Sequence, residues 1–330
     1  MAATIRDVAL KAGVSISTVS RVLNDTCPVA DDKRVRVESA AKELGYTPNP
    51  VARSLLSSET GGIGIILPFV SGEFFSEFLN GVDQAAQEQD FFLLISTSHH
   101  SSEDLKKAMA SMYRRVDGLL VMAPHMTTQA VEALAPDGLP FVFVNTEVVS
   151  DDAFGVTFDN YGGMYAMTAH LVSKGHRRIA FITGTENAYD ARERLRGHLQ
   201  ALKDNEIAPL DELIFKGNYD QRAGFEACNR VLRLEDRPTA VMASNDDSAI
   251  GVLSALRQAG LTIPDDMAVT GFDDVQSAQF ATPPLSSVHV PVRQLGTAAI
   301  DLLVSRLNDV QRAPQMRTLP VELRIRGSSK

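Results

Sequence analysis

A run of polar side chains near the N-terminus has the types and the spacing needed to contact nucleic acid. Within residues 14–24, Ile16, Ser17, Ser20 and Arg21 fall on the face of a predicted helix opposite its apolar residues. Hydroxyl and guanidinium groups donate hydrogen bonds to phosphates and base edges, and an isoleucine tip can contact a thymine methyl group. The pattern predicts a surface for the DNA major groove, although an ordinary amphipathic helix in a bundle has the same apolar spacing.

The other reactive residue types form no arrangement that indicates catalysis. His99 and His100 end a predicted strand without an acidic or thiol partner at ligand spacing, which favours a solvated loop over a metal site. Pro68 follows the first strand of the α/β region where a GxGxxG phosphate loop would have to begin. The sequence has no GxSxG elbow and no P-loop lysine. We therefore expect a binding protein that is not an enzyme and that holds no cofactor or metal.

Three short helices within residues 4–45 are predicted to hold the polar run. Thr4 and Asp7 have the spacing of a capping box for the first helix, and Ser15 can cap the second. Apolar residues recur at helical spacing in the second and third helices: Val19, Val22, Leu23, Val37, Ala40, Ala41 and Leu44. Two helices joined by a tight turn at Gly13 and followed by a third are typical of a helix-turn-helix.

A proline-led segment follows these helices. Asn49 and Pro50 are a good cap and first residue for a very short helix over residues 51–56, which two turns alone would barely stabilise in water. Leu55 and Leu56 have no obvious core to join there. They are either an apolar wedge for the DNA minor groove, ordered by DNA and a second copy of the chain, or residues that pack on the following α/β region.

From Ile63 onward, apolar strands alternate with amphipathic helices, which is typical of βαβ units and parallel sheets. Ten strands are predicted, at residues 63–67, 91–96, 118–122, 140–144, 156–159, 178–183, 212–216, 240–243, 268–272 and 287–290. This number of strands is larger than one open sheet usually contains. The predicted fold class is therefore α/β, with two parallel-sheet lobes and chain crossings near Asp159 and Pro291, behind a small all-α headpiece.

Charge and cysteine content narrow the possible partners and compartment. The net charge is −9, but residues 1–60 carry +1 and the remainder carries −10, so the first sixty residues are the part suited to a polyanion. Cys27 and Cys228 lack metal-site or disulfide spacing, which fits a reducing compartment. No apolar run approaches the ~20 residues of a membrane span or the core of a signal peptide. A cytoplasmic location is expected.

Five segments in order resemble the lactose-repressor/galactose-repressor (LacI/GalR) family of bacterial transcription regulators: TIRDVALKAGVSISTVSRVLN, AAKELGYTPNPVARSL, DNYGGMYAMTAHLVSKGHRRIAFITG, ASNDDSAIG and VTGFDD. The resemblance runs almost from end to end. It implies a helix-turn-helix headpiece and hinge helix at residues 1–60 and a sensor at residues 61–330. The sensor would resemble periplasmic sugar-binding proteins, bind the effector and hold the chain in a homodimer on a pseudo-palindromic operator.

The resemblance assigns base reading to Ile16, Ser17 and Arg21 and insertion into the central minor-groove step to Leu55. Contacts to double-stranded operator DNA are expected at Thr4, Ser15, Ile16, Ser17, Thr18, Ser20, Arg21, Asn24, Asn49, Ala52, Arg53 and Leu55. The family varies at the positions of Ile16 and Ser17. The operator sequence therefore does not follow from a relative.

The resemblance also implies an effector site between the lobes, at the C-terminal ends of strands. Contacts to a small molecule are expected at Phe74, Phe75, Asn145, Arg194, Tyr219, Asn245 and Asp273. Aromatic rings can stack on the C–H faces of a sugar, and the polar groups can pair with vicinal hydroxyls. GEFFSEF and ARERLRG are similar to ribose-binding relatives, which favours a monosaccharide. The alternatives are helix caps for Asn245 and Asp273 and a core position for Phe74.

Together these features predict a ligand-responsive, sequence-specific DNA-binding repressor of carbohydrate uptake or catabolism genes. A sugar-binding protein without a regulatory role is the alternative. The sequence ends at Lys330, soon after a final predicted strand in VELRIRG, without a leucine heptad tail. A dimer is therefore expected rather than a tetramer.

Overall fold

The computed structural model describes residues 3–23, 27–46, 60–149, 152–309, 311 and 313–330. The chain divides into two compact units, Met1–Thr60 and Gly61–Lys330. Among the described residues, no helix is both long and apolar enough to cross a membrane. The predicted hinge helix at residues 51–56 and the expected DNA contacts Asn24, Asn49, Ala52, Arg53 and Leu55 lie outside the described residues.

The first unit contains three helices, α1 (Ile5–Ala12), α2 (Ile16–Leu23) and α3 (Asp31–Leu44). The predicted capping box is present, since the Thr4 amide donates to the Asp7 carboxylate at 2.8 Å and the Asp7 amide donates to the Thr4 hydroxyl. The Thr18 amide donates to Ser15 Oγ at 3.2 Å, so Ser15 caps α2 as predicted. Gly13 ends α1 in the left-handed conformation that a glycine adopts without strain.

The core of this unit is small and aliphatic, and it unites the predicted apolar stripes. Its buried members are Val8, Ala9, Ala12, Val19, Val22, Val37, Ala40 and Ala41. Leu23 and Leu44 pack against this core from partly buried positions. The predicted three-helix unit is therefore observed with its apolar faces turned inward.

The second unit alternates strands and helices as predicted. In chain order its elements are β1 (Gly62–Leu67), α4 (Glu73–Gln87), β2 (Phe92–Thr97), α5 (Ser102–Met112), β3 (Gly118–Val121), α6 (Thr128–Glu132), β4 (Phe141–Val144), β5 (Gly155–Phe158), α7 (Asn160–Ser173), β6 (Ile179–Ile182), α8 (Tyr189–Asp204), β7 (Ile214–Phe215), α9 (Gln221–Val231), β8 (Ala240–Ala243), α10 (Asp246–Gln258), β9 (Ala268–Asp273), α11 (Gln276–Phe280), β10 (Ser286–His289), α12 (Val292–Asn308), β11 (Met316–Leu319) and β12 (Glu322–Arg324).

Two six-stranded sheets form the two predicted lobes. In the first lobe the strand order is β11-β5-β4-β3-β1-β2, and every neighbouring pair is parallel. In the second lobe the order is β12-β10-β9-β8-β6-β7, in which only β12 pairs antiparallel with its neighbour. The central strands are buried on both faces, as expected for a sheet covered by helices on both sides.

The chain crosses between the lobes three times. The predicted crossings are observed between β5 and α7, at Asp159, and between β10 and α12, at Pro291. A third crossing at residues 320–321, between β11 and β12, was not predicted. The short strands on either side of this crossing, β11 and β12, alternate between exposed and half-buried residues. They therefore lack the continuous apolar signal of the central strands.

Candidate effector cleft and nucleic-acid interface

Helix α2 presents the polar face predicted for DNA. Ile16, Ser17 and Arg21 are exposed and Ser20 is half-buried, whereas the opposite face of the helix is buried. Ile16 leaves 45% of its surface exposed, which is unusual for a large aliphatic residue in such a small unit. The helix therefore has both a packed face and a solvent-facing side that a groove could receive.

The remaining described DNA candidates, Thr4, Ser15 and Thr18, carry hydroxyl groups at the starts of α1 and α2. The Ser15 hydroxyl lies 2.8 Å from those of Ser17 and Thr18, and the Thr4 hydroxyl lies 2.7 Å from the Asp7 carboxylate. These groups cap helices, so their capping role alone accounts for Thr4 and Ser15. Both lie at helix N-termini, where amides and hydroxyls are also suited to phosphate.

The sensor contains a cleft of about 630 Å³, including the part open to solvent, where strands of both lobes end. All seven residues predicted to contact an effector line it: Phe74, Phe75, Asn145, Arg194, Tyr219, Asn245 and Asp273. Asn145 follows β4, Asn245 follows β8 and Asp273 ends β9. The structure thus brings together residues separated by up to 199 positions at the edge predicted for ligands in α/β sheets.

Arg194 is the central cation of the cleft, and its side chain is almost completely buried. Its Nε donates to Asn160 Oδ1 at 2.9 Å, Nη1 donates to the Ser244 carbonyl, and Nη2 donates to Asp273 Oδ1 at 3.4 Å. The guanidinium carbon lies 3.9 Å from the centroid of the Phe272 ring. Burial acts to lower the pKa of Arg194, but Tyr219 and Asp273 outweigh it, so the group stays charged.

Asp273 is the buried carboxylate opposite Arg194. Burial raises its pKa to about 7, although the charge of Arg194 acts in the other direction. The side chain is not a helix cap, because no helix begins at the next residue. A carboxyl group that titrates near neutral pH inside a cleft is typical of a functional site.

The two asparagines of the cleft are fixed by hydrogen bonds. Asn145 Oδ1 accepts from Asn160 Nδ2 at 2.9 Å and from the Thr157 hydroxyl at 3.3 Å. Asn245 Oδ1 accepts from the Ser248 amide at the start of α10, while Nδ2 donates to the Tyr219 carbonyl. Asn245 is therefore both a helix cap and a cleft residue, so its two interpretations are compatible.

Aromatic rings form an apolar wall. The Phe75 ring lies 4.7 Å from that of Phe69 and 5.3 Å from that of Phe74, measured between centroids. Phe75 is buried and also belongs to the hydrophobic core, whereas Phe74 is only partly buried. Stacking surface and hydrogen-bonding groups consequently face one space, as in sites for small organic ligands.

Several cleft residues were missed by sequence reasoning. His100 was expected in a solvated loop, but its ring is half-buried and lines the cleft beside Phe69. Asp190 and Asp247 also line the cleft. Their roles depend on contacts between distant segments, for which a single sequence carries no local signal.

Unusual backbone conformations cluster at the cleft. Four residues that line it have positive φ angles without being glycine: His100, Asn145, Tyr219 and Asp273. Such residues are strained and persist only where the surrounding structure holds them, commonly at ligand sites. The clustering supports a functional role for the cleft independently of the side chains.

Contacts around the cleft join the two lobes. The Tyr189 amide of the second lobe donates to the Pro124 carbonyl of the first at 2.7 Å, and Arg192 pairs with Glu147 at 2.5 Å. On another side, the Ser277 amide donates to Glu73 Oε2 at 3.0 Å. The lobes are therefore in contact around the cleft, and a ligand between them would be enclosed by both.

Known proteins resemble both units. Residues 4–49 match the family model described as bacterial regulatory proteins, lacI family, and residues 168–329 match a periplasmic binding protein-like domain. The HTH-type transcriptional repressor PurR of Actinobacillus pleuropneumoniae (strain JL03) is 34% identical, over 99% of this chain and 98% of that protein.

Two solved structures extend this comparison over the whole chain. A Lac repressor dimer bound to operator and the anti-inducer ONPF is 30% identical, covers 100% of this chain and 99% of that one, and has a TM-score of 0.90. A complex of the transcriptional regulator CelR with cellobiose is 31% identical, covers 99% of both chains and has a TM-score of 0.75.

Proposed function

The chain belongs to the lacI family of bacterial regulatory proteins, and we propose that it is a homodimeric repressor whose operator affinity is set by a neutral saccharide bound in the cleft. The family resemblance and the α/β fold class predicted from the sequence are confirmed. The relatives are DNA-binding repressors that respond to ligands, and the chain is a repressor of the same kind. The effector, the dimer and the individual contacts are the parts that we propose.

All seven residues expected to contact the effector line one cleft, and this is the main support for the proposal. Carboxylate, amide and guanidinium groups there alternate with aromatic rings, as required for a ligand with hydroxyls around an apolar ring face. Two similar solved structures hold cellobiose or the anti-inducer ONPF. These features favour a sugar, and we retain the control of carbohydrate uptake or catabolism genes as the proposed role.

A nucleobase is the second candidate effector. The Phe69, Phe74 and Phe75 rings could enclose a planar base, and the adjacent Arg194 and Asp273 could pair with its edge. The similarity to repressors named PurR supports a purine-type effector as this second candidate. Isothermal titration with D-ribose, D-glucose, cellobiose and hypoxanthine separates the two classes, because only one ligand class is expected to bind with micromolar affinity.

A sugar-binding protein without DNA contacts is the less favoured alternative. The helix-turn-helix family match and the exposed face of α2 both support DNA binding. Selection of duplexes from a randomised pool by the full chain should enrich two inverted half-sites. Affinity for the enriched duplex should fall steeply between 50 and 200 mM salt, by ~10³-fold or more if the dimer neutralises several phosphates. A salt-independent affinity, or no enriched sequence, contradicts the proposal.

Effector affinity is expected to depend on pH through Asp273. With a pKa of about 7, roughly one tenth of this carboxyl group is ionised at pH 6 and most of it at pH 8. Since the ionised form accepts hydroxyl hydrogen bonds, the Kd of a sugar should be ~10-fold higher at pH 6 than at pH 8. Calorimetric titration at the two pH values measures this ratio. In an Asp273→Asn variant, the ratio of the Kd at pH 6 to the Kd at pH 8 should be near one. If the variant keeps the ratio of the wild type, a group other than Asp273 causes the pH dependence.

Dimerisation is expected to bury Phe280, which leaves 76% of its surface exposed at the end of α11. Phe280 is a large apolar side chain on the unit to which the family resemblance assigns dimerisation, which makes it the candidate for the interface. Phe280→Glu should shift the chain from dimer to monomer in sedimentation equilibrium, with a Kd for dimerisation raised at least ~30-fold. Leu10→Glu, at a similarly exposed leucine of the first unit, is the control and should leave the dimer intact. A Phe280→Glu dimer as tight as the wild type contradicts this interface.

A further inference from the structure

One corner of the cleft is formed by residues that the expected effector set does not include. His100 lines it from the turn after β2, and Asp190 lines it from the first turn of α8. The ring of His125 packs edge to face against the His100 ring, with 5.6 Å between the ring centroids. The Phe69 ring also lies beside the His100 ring, with 5.4 Å between centroids. We call His100, His125 and Asp190 the histidine corner.

The backbone places His100 in this corner at the cost of strain. His99 and His100 are consecutive non-glycine residues in the left-handed region, with φ angles of 47° and 57°. The buried Ser98 anchors the turn, since its amide donates to the Leu67 carbonyl at 2.8 Å. The exposed His99 side chain lies 3.0 Å from the Thr97 hydroxyl. The turn therefore directs one histidine to solvent and the other to the cleft, and it concentrates strain at a residue that lines the site.

The histidine corner also contains buried polar atoms without hydrogen-bond partners among the described residues. They are Nδ1 of His100 and both ring nitrogens of His125, whereas the Asp190 carboxylate lies beside the Tyr219 hydroxyl. Most buried polar atoms in folded proteins are paired, because an unpaired one has lost its hydration without compensation. Several such atoms in one corner of a ligand cleft indicate a place where a polar group of the ligand completes the hydrogen bonds.

The charges around the histidine corner indicate which chemical group of a ligand could bind there. Three carboxylates, from Asp190, Asp247 and Asp273, line the cleft against the single guanidinium of Arg194, which opposes a phosphate. Burial lowers the pKa of His100, more than the charge of Asp190 raises it, so the ring is neutral at neutral pH. A neutral imidazole has one donor and one acceptor, and a hydroxyl group can pair with either because it both donates and accepts.

We propose that His100, together with Asp190, binds a hydroxyl-bearing substituent of the effector beyond the part held by Arg194 and Asp273, and that this contact sets effector selectivity. The inference rests on the proposed function, because it adds a second contact to the same ligand. His125 acts through His100 and is a positioning residue. The corner thus discriminates between neutral sugars that differ at one hydroxyl.

The test compares His100→Asn with His99→Asn in the full chain. Asparagine tolerates the left-handed backbone, so both variants keep the turn, and only one of them removes a ring from the cleft. Isothermal titration measures the Kd of D-ribose, D-glucose, cellobiose and hypoxanthine. For the tightest sugar, His100→Asn should raise the Kd at least tenfold and His99→Asn less than twofold. Monodeoxy analogues of that sugar should reveal one hydroxyl whose loss weakens the wild type but not His100→Asn.

Each other outcome overturns the proposal. Three outcomes would rule out a ligand contact in the histidine corner while leaving the repressor function intact. They are equal affinity of His100→Asn and the wild type, an equal loss of affinity in His99→Asn, and undiminished discrimination of the deoxy analogues by His100→Asn. Binding of hypoxanthine alone also contradicts it, since this base carries no such hydroxyl substituent. Failure of the wild type to bind any of the four ligands contradicts the proposed effector class, and the sub-site with it.

Discussion

Replacing Arg194 with methionine is expected to weaken effector binding by at least ~30-fold and to abolish the response of operator binding to the effector. The guanidinium is held in place by Asn160, the Ser244 carbonyl and Asp273, so it is positioned before a ligand arrives. A hydrogen bond from a charged group typically contributes about 1.5 to 3 kcal/mol, and a loss of about 2 kcal/mol is a ~30-fold rise in Kd. Methionine keeps apolar volume at the site, but it leaves the buried Asp273 carboxyl group without its cation, so the free energy of unfolding is expected to fall as well.

The matched control for this change lies two residues further along α8. Arg196 is exposed and pairs with Glu193 on the helix surface, so Arg196→Met removes the same charge away from the cleft. Calorimetry should give effector Kd values within ~2-fold of wild type for the control. Operator affinity without effector should stay within ~3-fold for both variants. If Arg194→Met still binds the effector like the wild type, Arg194 is not a ligand contact.

Replacing Arg21 with alanine is expected to lower operator affinity by at least ~30-fold while leaving effector binding unchanged. Arg21 is exposed in the last turn of α2, on the face away from the Val19 and Val22 core. An arginine contact to a base edge is typically worth about 1 to 3 kcal/mol, and a dimer on two half-sites loses it twice. Fluorescence anisotropy with the selected duplex measures the change.

The control for Arg21 is Arg36→Ala, which removes another exposed arginine, on α3 and outside the expected DNA contacts. It should change operator affinity by less than ~3-fold, and the sugar Kd of both variants should equal that of the wild type. Equal losses in Arg21→Ala and Arg36→Ala would mean that binding depends on general positive charge, contrary to base reading by α2.

The sequence predicted those features that depend on local patterns. The capping box at Thr4, the cap at Ser15 and the apolar stripe at Val19 and Val22 all follow from neighbours within one or two helical turns. Arg194 and Asp273 were placed in the effector site by family resemblance, and the structure brings them within 3.4 Å of each other. Periodicity alone could not have paired two residues so distant in the chain.

Features that depend on long-range packing escaped prediction. His100 was assigned to solvent because the sequence next to it offers no ligand partner, yet Phe69 and His125 enclose it from two other loops. The strand in VELRIRG was predicted and is observed as β12, but its antiparallel pairing, β11 and the third crossing were not foreseen, since a strand of four partly exposed residues such as β11 resembles a loop in sequence. Sequence periodicity reports burial within an element, whereas these features arise between elements.

Ligand binding in the cleft is proposed to change the affinity of the protein for operator DNA. The most direct test titrates the selected duplex with the full chain, with and without a saturating concentration of whichever of D-ribose, D-glucose, cellobiose or hypoxanthine binds. A coupling of typical size predicts that the operator Kd changes by ~5- to 150-fold. An operator Kd that stays the same within twofold while calorimetry shows the ligand bound would contradict the claim.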